Sequence, residues 1–259
     1  MTDTRPGRDW PMLALVVLIG LNLRSFIAAP APLLAEISAD TGLGLSGVAM
    51  LTLLPMVLMG VGAFVSPGLQ ARFGARRGIL VALAVLFAGS ALRLAAFDGL
   101  SLIVTAALCG IGVAFVQAAF PGIIKARFPT SVPVVTGLYS GVMMAGGAFG
   151  ARLMPVFVNA GFSWRAALAV LAVPVAVALA AAWRILSDVK SSRPDNTLTR
   201  RLLARPRTWG LMGAFGLVNT GYTSMIAWLA PYYQAQGWTS ADASSLVAVM
   251  AVCQAAAAL

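Results

Sequence analysis

Apolar stretches recur along the chain, each close to the roughly 20 residues a helix needs to cross a hydrocarbon layer about 30 Å thick. Short segments rich in charge, proline and glycine separate them. The pattern predicts seven complete spans, over Pro11–Leu34, Ser46–Ser66, Gly78–Phe97, Leu100–Ile124, Val132–Val158, Trp164–Trp183 and Thr208–Ala230. An eighth opens near Ala243 and is still apolar at Leu259, with no polar flank or cap to close it, so a chain truncated within a larger protein is expected. The expected fold class is all-α, a polytopic membrane helix bundle.

Composition narrows the chemistry. Of 259 residues 60% are hydrophobic and 10% charged, against about 25% charged in soluble domains, and mean hydropathy is +0.90. Those charges are too few to cover a soluble core. The chain has no histidine, which removes imidazole acid/base chemistry and His-ligated metal. Cys109 and Cys253 lie far apart in apolar runs and read as packing residues, so neither a disulfide framework nor a metal site is expected. No cofactor is expected either, and an intramembrane enzyme would lack both histidine and a midplane carboxylate.

The net charge of +10 is distributed as an orientation signal. With the N-terminus in the cytoplasm, 14 of the 18 basic residues fall inside: Arg5, Arg8, Arg72, Arg76, Arg77, Lys125, Arg127, Arg184, Lys190, Arg193, Arg200, Arg201, Arg205 and Arg207. Glu36, Asp40, Asp98 and Asp242 fall on the opposite side. Positive charge spread in this way does not form a nucleic-acid patch. The first apolar run is longer than the usual 7 to 15 residues of a signal core and carries an arginine at its centre, so it is expected to stay in the protein. The location predicted is the inner cell membrane, multi-pass, with a cytoplasmic N-terminus.

A polar segment over residues 184–207 divides residues 1–183, a six-helix bundle, from residues 208–259, the start of a second. Two six-helix bundles related by a parallel repeat would make the first and seventh spans correspond. Both end in prolines, Pro30 and Pro32 in one and Pro231 in the other, and a glycine follows each, Gly42 and Gly237. Gly137, Gly141, Gly146, Gly147 and Gly150 form a small-residue seam in the fifth span, which serves either static packing or a sliding contact.

Arg24 lies about halfway along the first span, where a charge costs at least about 2.5–3.5 kcal/mol on insertion scales. Gly20 and Ala28, four residues to either side, give it a small, close-packed helix face that turns the guanidinium into the bundle. All eight acidic residues lie in loops or at span ends. Its partner is therefore a carbonyl, water, an acid beyond this chain, or a substrate whose carboxylate-like group suits the guanidinium fork. Asn219 and Tyr222 share one face of the seventh span with Thr223 alongside, Gln117 places an amide in the fourth near Gly112 and Pro121, and Tyr139 is a weaker candidate in the fifth. Each could contact a midplane substrate or bridge helices. Arg93 and Arg152 lie towards outer span ends, from which they could snorkel, and Arg165 and Trp228 read as interfacial. Between the second and third spans, Arg72, Arg76 and Arg77 surround Gly74 in a tight turn suited to a gating latch on a neighbouring bundle, or to orientation alone.

That turn resembles the signature loop of the major facilitator superfamily at Leu69, Arg72, Gly74 and Arg76, although Pro67 replaces its first glycine and Ala71 its aspartate. Leu21-Asn22-Leu23-Arg24, Pro121-Gly122-Ile123-Ile124-Lys125, Thr136-Gly137-Leu138-Tyr139 and Ala227-Trp228-Leu229-Ala230-Pro231 are similar to segments of its cyanate and nitroimidazole transporter branch. The resemblance implies a twelve-helix protein of two six-helix bundles, with Arg24 lining the central cavity. Gln117 stands where branch members typically have asparagine. The Gly-x-x-x-Gly-Pro antiporter pattern is partial, because Val142 follows Gly141.

The function expected is secondary transport of a small anionic or polar solute by alternating access. The alternatives are a seven-helix receptor or sensor, which usually places its N-terminus outside, and an exporter of drug-like compounds. The expected partners are the solute and the lipid bilayer, the expected state is a monomer, and a coupling proton or ion is left open.

Overall fold

The computed structural model describes residues 9–187 and 204–257. The central part of the expected linker, with Lys190, Arg193, Arg200 and Arg201, lies outside them, as do Arg5 and Arg8. All regular elements of the described residues are helical: α1 (Trp10–Ala28), a 3-10 turn (Ala31–Leu33), α2 (Leu34–Thr41), α3 (Leu45–Phe73), α4 (Ala75–Leu92), a 3-10 turn (Arg93–Ala95), α5 (Gly99–Arg127), α6 (Val132–Asn159), α7 (Trp164–Ala169), α8 (Ala172–Ile185), α9 (Pro206–Ala235) and α10 (Ser240–Ala257).

Among the described residues six stretches are long and apolar enough to cross a membrane: Trp10–Thr41, Ser46–Phe73, Ala75–Ala95, Gly99–Arg127, Val132–Asn159 and Trp164–Ile185. They match the first six predicted spans. The seventh differs. Its helix, α9, has 30 residues, ample in length, but Asn219, Thr220, Tyr222, Thr223 and Ser224 put a polar band at its middle and it is not among the spans apolar enough to qualify.

Local chemistry sets the boundaries. Pro30 has no N–H to continue α1, so the chain passes through a 3-10 turn before resuming as α2. Pro174 likewise cannot donate to the Val170 carbonyl, which instead accepts from the Val173 N–H at 3.0 Å, and the sixth span is split into α7 and α8. Asp98 starts α5 with a capping box: its carboxylate accepts from the Ser101 N–H at 2.9 Å while its own N–H donates to the Ser101 hydroxyl at 3.2 Å. Bonds from the Ser101 hydroxyl and N–H to its side chain hold the Asp98 carboxyl below the usual carboxylate range. The first and seventh helical stretches close alike, on left-handed glycines, Gly42 at φ +69° and Gly237 at φ +90°.

Side-chain contacts group the helix ends into two sets. At one, Arg127 pairs with Asp9 and Arg76 reaches the end of α8. At the other, Asp40 accepts from Trp164 Nε1 at 2.9 Å and from Arg165, whose Nε donates to the Ala96 carbonyl at 2.6 Å. Each end thus carries an Arg–Asp pair, Arg127 with Asp9 at the first and Arg165 with Asp40 at the second.

Within the bundle α1 packs on α6 and α8, α5 on α3 and α4, and α10 crosses to α6. The α1–α6 seam is tight. A methyl group on Gly146 would lie 2.1 Å from the Leu21 carbonyl oxygen, and one on Gly150 would lie 2.4 Å from that of Ser25, so backbone meets backbone with no room for a side chain. Gly146→Ala and Gly150→Ala are expected to destabilise the protein by about 1–3 kcal/mol each. Gly60→Ala, at a position with nothing within 4 Å, is expected to cost nothing. Thermal melting in detergent followed by size-exclusion chromatography checks all three.

Candidate functional site

Arg24 is buried, with 8% of its surface exposed. Its helix faces α6 where glycine makes room: a methyl on Gly147 would lie 3.7 Å from Arg24 Cβ and 3.8 Å from the Tyr222 hydroxyl. The guanidinium lies against the Tyr222 ring, with Cζ 5.0 Å from its centroid. Tyr139 on α6 meets the same helix one turn before Arg24, where a methyl on Gly20 would lie 3.6 Å from its ring. Its ring packs on Phe120 of α5 at 5.6 Å between centroids. Arg24 Nε and Nη1 and both tyrosine hydroxyls are buried without a hydrogen-bond partner. Groups of this kind are normally satisfied, and here four such atoms share one neighbourhood built from three helices.

The remaining candidates are placed differently. Gln117 Nε2 donates to the Met143 thioether at 3.1 Å, a weak acceptor that leaves the amide easily redirected. Asn219 sits one helical step from Tyr222 but lines an adjoining cleft of about 430 Å³, together with Pro30, Ala31, Thr52, Thr223 and Trp228. Its Nδ2 donates back to the Phe215 carbonyl at 3.0 Å. Asn22, two residues before Arg24, is a strut: Nδ2 donates to the carbonyls of Leu18 at 2.7 Å and Pro174 at 3.2 Å, tying α1 to α8.

In the basic turn, Gly74 takes φ +81°, a conformation that favours glycine, and lets α3 fold into α4. Arg76 donates through Nε to the Leu186 carbonyl at 2.6 Å and through Nη2 to that of Trp183 at 3.1 Å. It thus satisfies the orphan carbonyls at the negative end of the α8 dipole, inside the first bundle. Arg72 lies over the Phe73 ring at 5.5 Å, and Arg77 is exposed. With Ala71 in place of a carboxylate, the turn finds its acceptors at a helix end.

Sequence reasoning missed Arg93. Instead of snorkelling outwards it is fully buried, at 1% exposure, with Nη2 donating to the Phe26 carbonyl at 3.3 Å. Pro30 explains the contact, because the N–H that Phe26 would receive in a continuous helix is the one proline lacks. Pro30 was the available signal, though nothing in the pattern says which side chain repairs the gap.

A sequence profile of the Major Facilitator Superfamily matches residues 13–259. The chain belongs to the major facilitator superfamily. It is 38% identical over 250 residues to the cyanate transport protein CynX of Escherichia coli (strain K12), covering 96% of this chain and 65% of that one. It is 31% identical to the 2-nitroimidazole transporter of the same strain, covering 95% and 63%. Thus it spans just under two thirds of the length of these curated relatives. A solved structure of tetrameric PepTSo2 has the same fold, with a TM-score of 0.54 at 18% identity over 87% of this chain and 50% of that one. A multi-pass membrane protein of the superfamily, this chain falls among its cyanate and nitroimidazole transporter relatives.

Two outcomes follow from these contacts. Without solute, Tyr139→Phe is expected to melt at or slightly above the parent temperature, because its hydroxyl has no bond to lose; a clear drop in melting temperature would show that the hydroxyl is bonded. Arg76→Ala is expected to lose about 1.5–3 kcal/mol of stability. Arg76→Lys should restore only part, since an ammonium lacks the fork that spans two carbonyls, and melting curves of the three proteins make the comparison.

Proposed function

We propose that this protein is a secondary carrier, not an enzyme, that moves a small anionic or polar solute across the inner membrane by alternating access, with Arg24 as its charged contact. One observation carries the proposal: a guanidinium buried at mid-span with two unpartnered nitrogens, flanked by two tyrosine hydroxyls that also lack partners. Among the described residues the buried charged side chains are Arg24 and Arg93, both cationic. No buried carboxylate among them balances Arg24, and an anionic solute would. Its oxygens would take the guanidinium fork and the tyrosine hydroxyls together, while Gly147 leaves space beside them and Gln117 can turn from Met143 to assist. The relative named as a cyanate transporter fits this chemistry. The basic end of the bundle faces the cytoplasm on this proposal, and the Arg76 turn braces that face.

A second reading is favoured by the cleft beside Asn219, whose wall is mostly apolar with Thr52, Asn219, Thr220, Thr223 and Ser224 as polar points. A flat neutral heterocycle suits such a wall, and the relative named as a 2-nitroimidazole transporter fits it. Thermal stabilisation separates the two, since a ligand that binds only the folded state raises the melting temperature. Cyanate is expected to stabilise the purified protein, and Arg24→Gln to weaken that response by roughly 10- to 100-fold in concentration, the loss of one or two charge-assisted hydrogen bonds. Equal responses from parent and variant, or stabilisation by 2-nitroimidazole alone, would sink the anion reading.

A further inference from the structure

The 3-10 turn that follows the Pro30 break is gripped from outside the first bundle. Gln234, at the end of α9, donates through Nε2 to the Pro32 carbonyl at 3.1 Å, and Ser240, at the start of α10, donates its hydroxyl to the same oxygen at 2.8 Å. Gln234 Nε2 also lies 3.3 Å from Ser240 Oγ, so the two donors support one another. They reach Pro32 across 202 and 208 residues of sequence. Both helices pack on the Ala31–Leu33 turn, and the cleft beside Asn219 begins at Pro30 and Ala31.

The opposite side of the same segment is held differently. Phe26 is fixed by Arg93, and Asp40 by Trp164 and Arg165, all residues of the first six spans. The contacts within the first bundle therefore involve charged groups, whereas the grip from α9 and α10 consists of neutral donors on a single carbonyl. Neutral bonds of that kind can break and re-form without stripping water from an ion.

Resting on the carrier proposed above, we propose that Gln234 and Ser240 are the outer gate. They keep the outer side shut by holding the Pro32 carbonyl, and their release lets α9 and α10 swing from the α1 turn and opens the Asn219 cleft outwards. Arg93 keeps the turn in place meanwhile. Gln234 and Ser240 are positioning residues on this account and touch no solute.

The test reads accessibility. In a Cys109→Ala, Cys253→Ser background, Thr223→Cys places one thiol on the cleft wall, and a membrane-impermeant maleimide is applied from outside to intact cells. Removing both donors with Gln234→Ala and Ser240→Ala is expected to speed labelling roughly tenfold, the effect of losing about two neutral hydrogen bonds from the closed state. Ser240→Thr, which retains a hydroxyl, is expected to label at the parent rate. Ser240→Ala alone gives the same comparison at smaller amplitude if the double variant is recovered poorly. Parent-rate labelling in the folded, monodisperse alanine variants overturns the gate, and so does equal acceleration by Ser240→Thr, which would mean loosened packing. Labelling needs no solute, so it decides the gate independently of whether cyanate or 2-nitroimidazole binds.

Discussion

In hydrocarbon, a backbone carbonyl that loses its helical partner has no water to turn to. This constraint organises the molecule. Each interruption of a helix exposes carbonyls, and at the positions that matter a side chain from elsewhere in the fold arrives to cover them. Arg93 takes the Phe26 carbonyl below the Pro30 break, Gln234 and Ser240 take that of Pro32 above it, and Arg76 takes those at the end of α8. Tertiary contacts of the bundle are thus set largely by where prolines and helix ends fall, with glycine seams supplying the close approach that lets short side chains reach.

Against that background Arg24 is the exception. Its neighbours are aromatic rings and a glycine, and its nitrogens cover no carbonyl that the helix breaks left open. A group that costs this much to bury persists where it is compensated during the working cycle. Arg93, buried more deeply and with its own Nε and Nη1 unpartnered, differs in that its Nη2 is tied to a specific carbonyl and no tyrosine hydroxyl flanks it.

Much of this was legible along the chain. Span lengths, the inward turn of Arg24 between Gly20 and Ala28, and the glycine seam of α6 are all local properties: hydropathy over about 20 residues or spacing by three and four. The polar band of α9 was legible too, in the run from Asn219 to Ser224. Contacts of high sequence separation were not legible. Nothing near Pro32 names Gln234 as its partner, and Arg93 has the composition of a snorkelling residue at a span end. Asn219 and Tyr222 share a helical face on paper, yet three residues shift the direction enough to send one to a cleft and the other to Arg24.

Asn22 and Arg24 are separated by two residues, a spacing that places them on different sides of α1. One side is pinned to the kinked sixth span through the Pro174 carbonyl, and the other presents the guanidinium towards α6 and α9. The helix is therefore a spindle with one bearing and one pointer. A displacement of α8 that reached α1 through this bond would move the tip of the long Arg24 side chain further than the backbone that carries it.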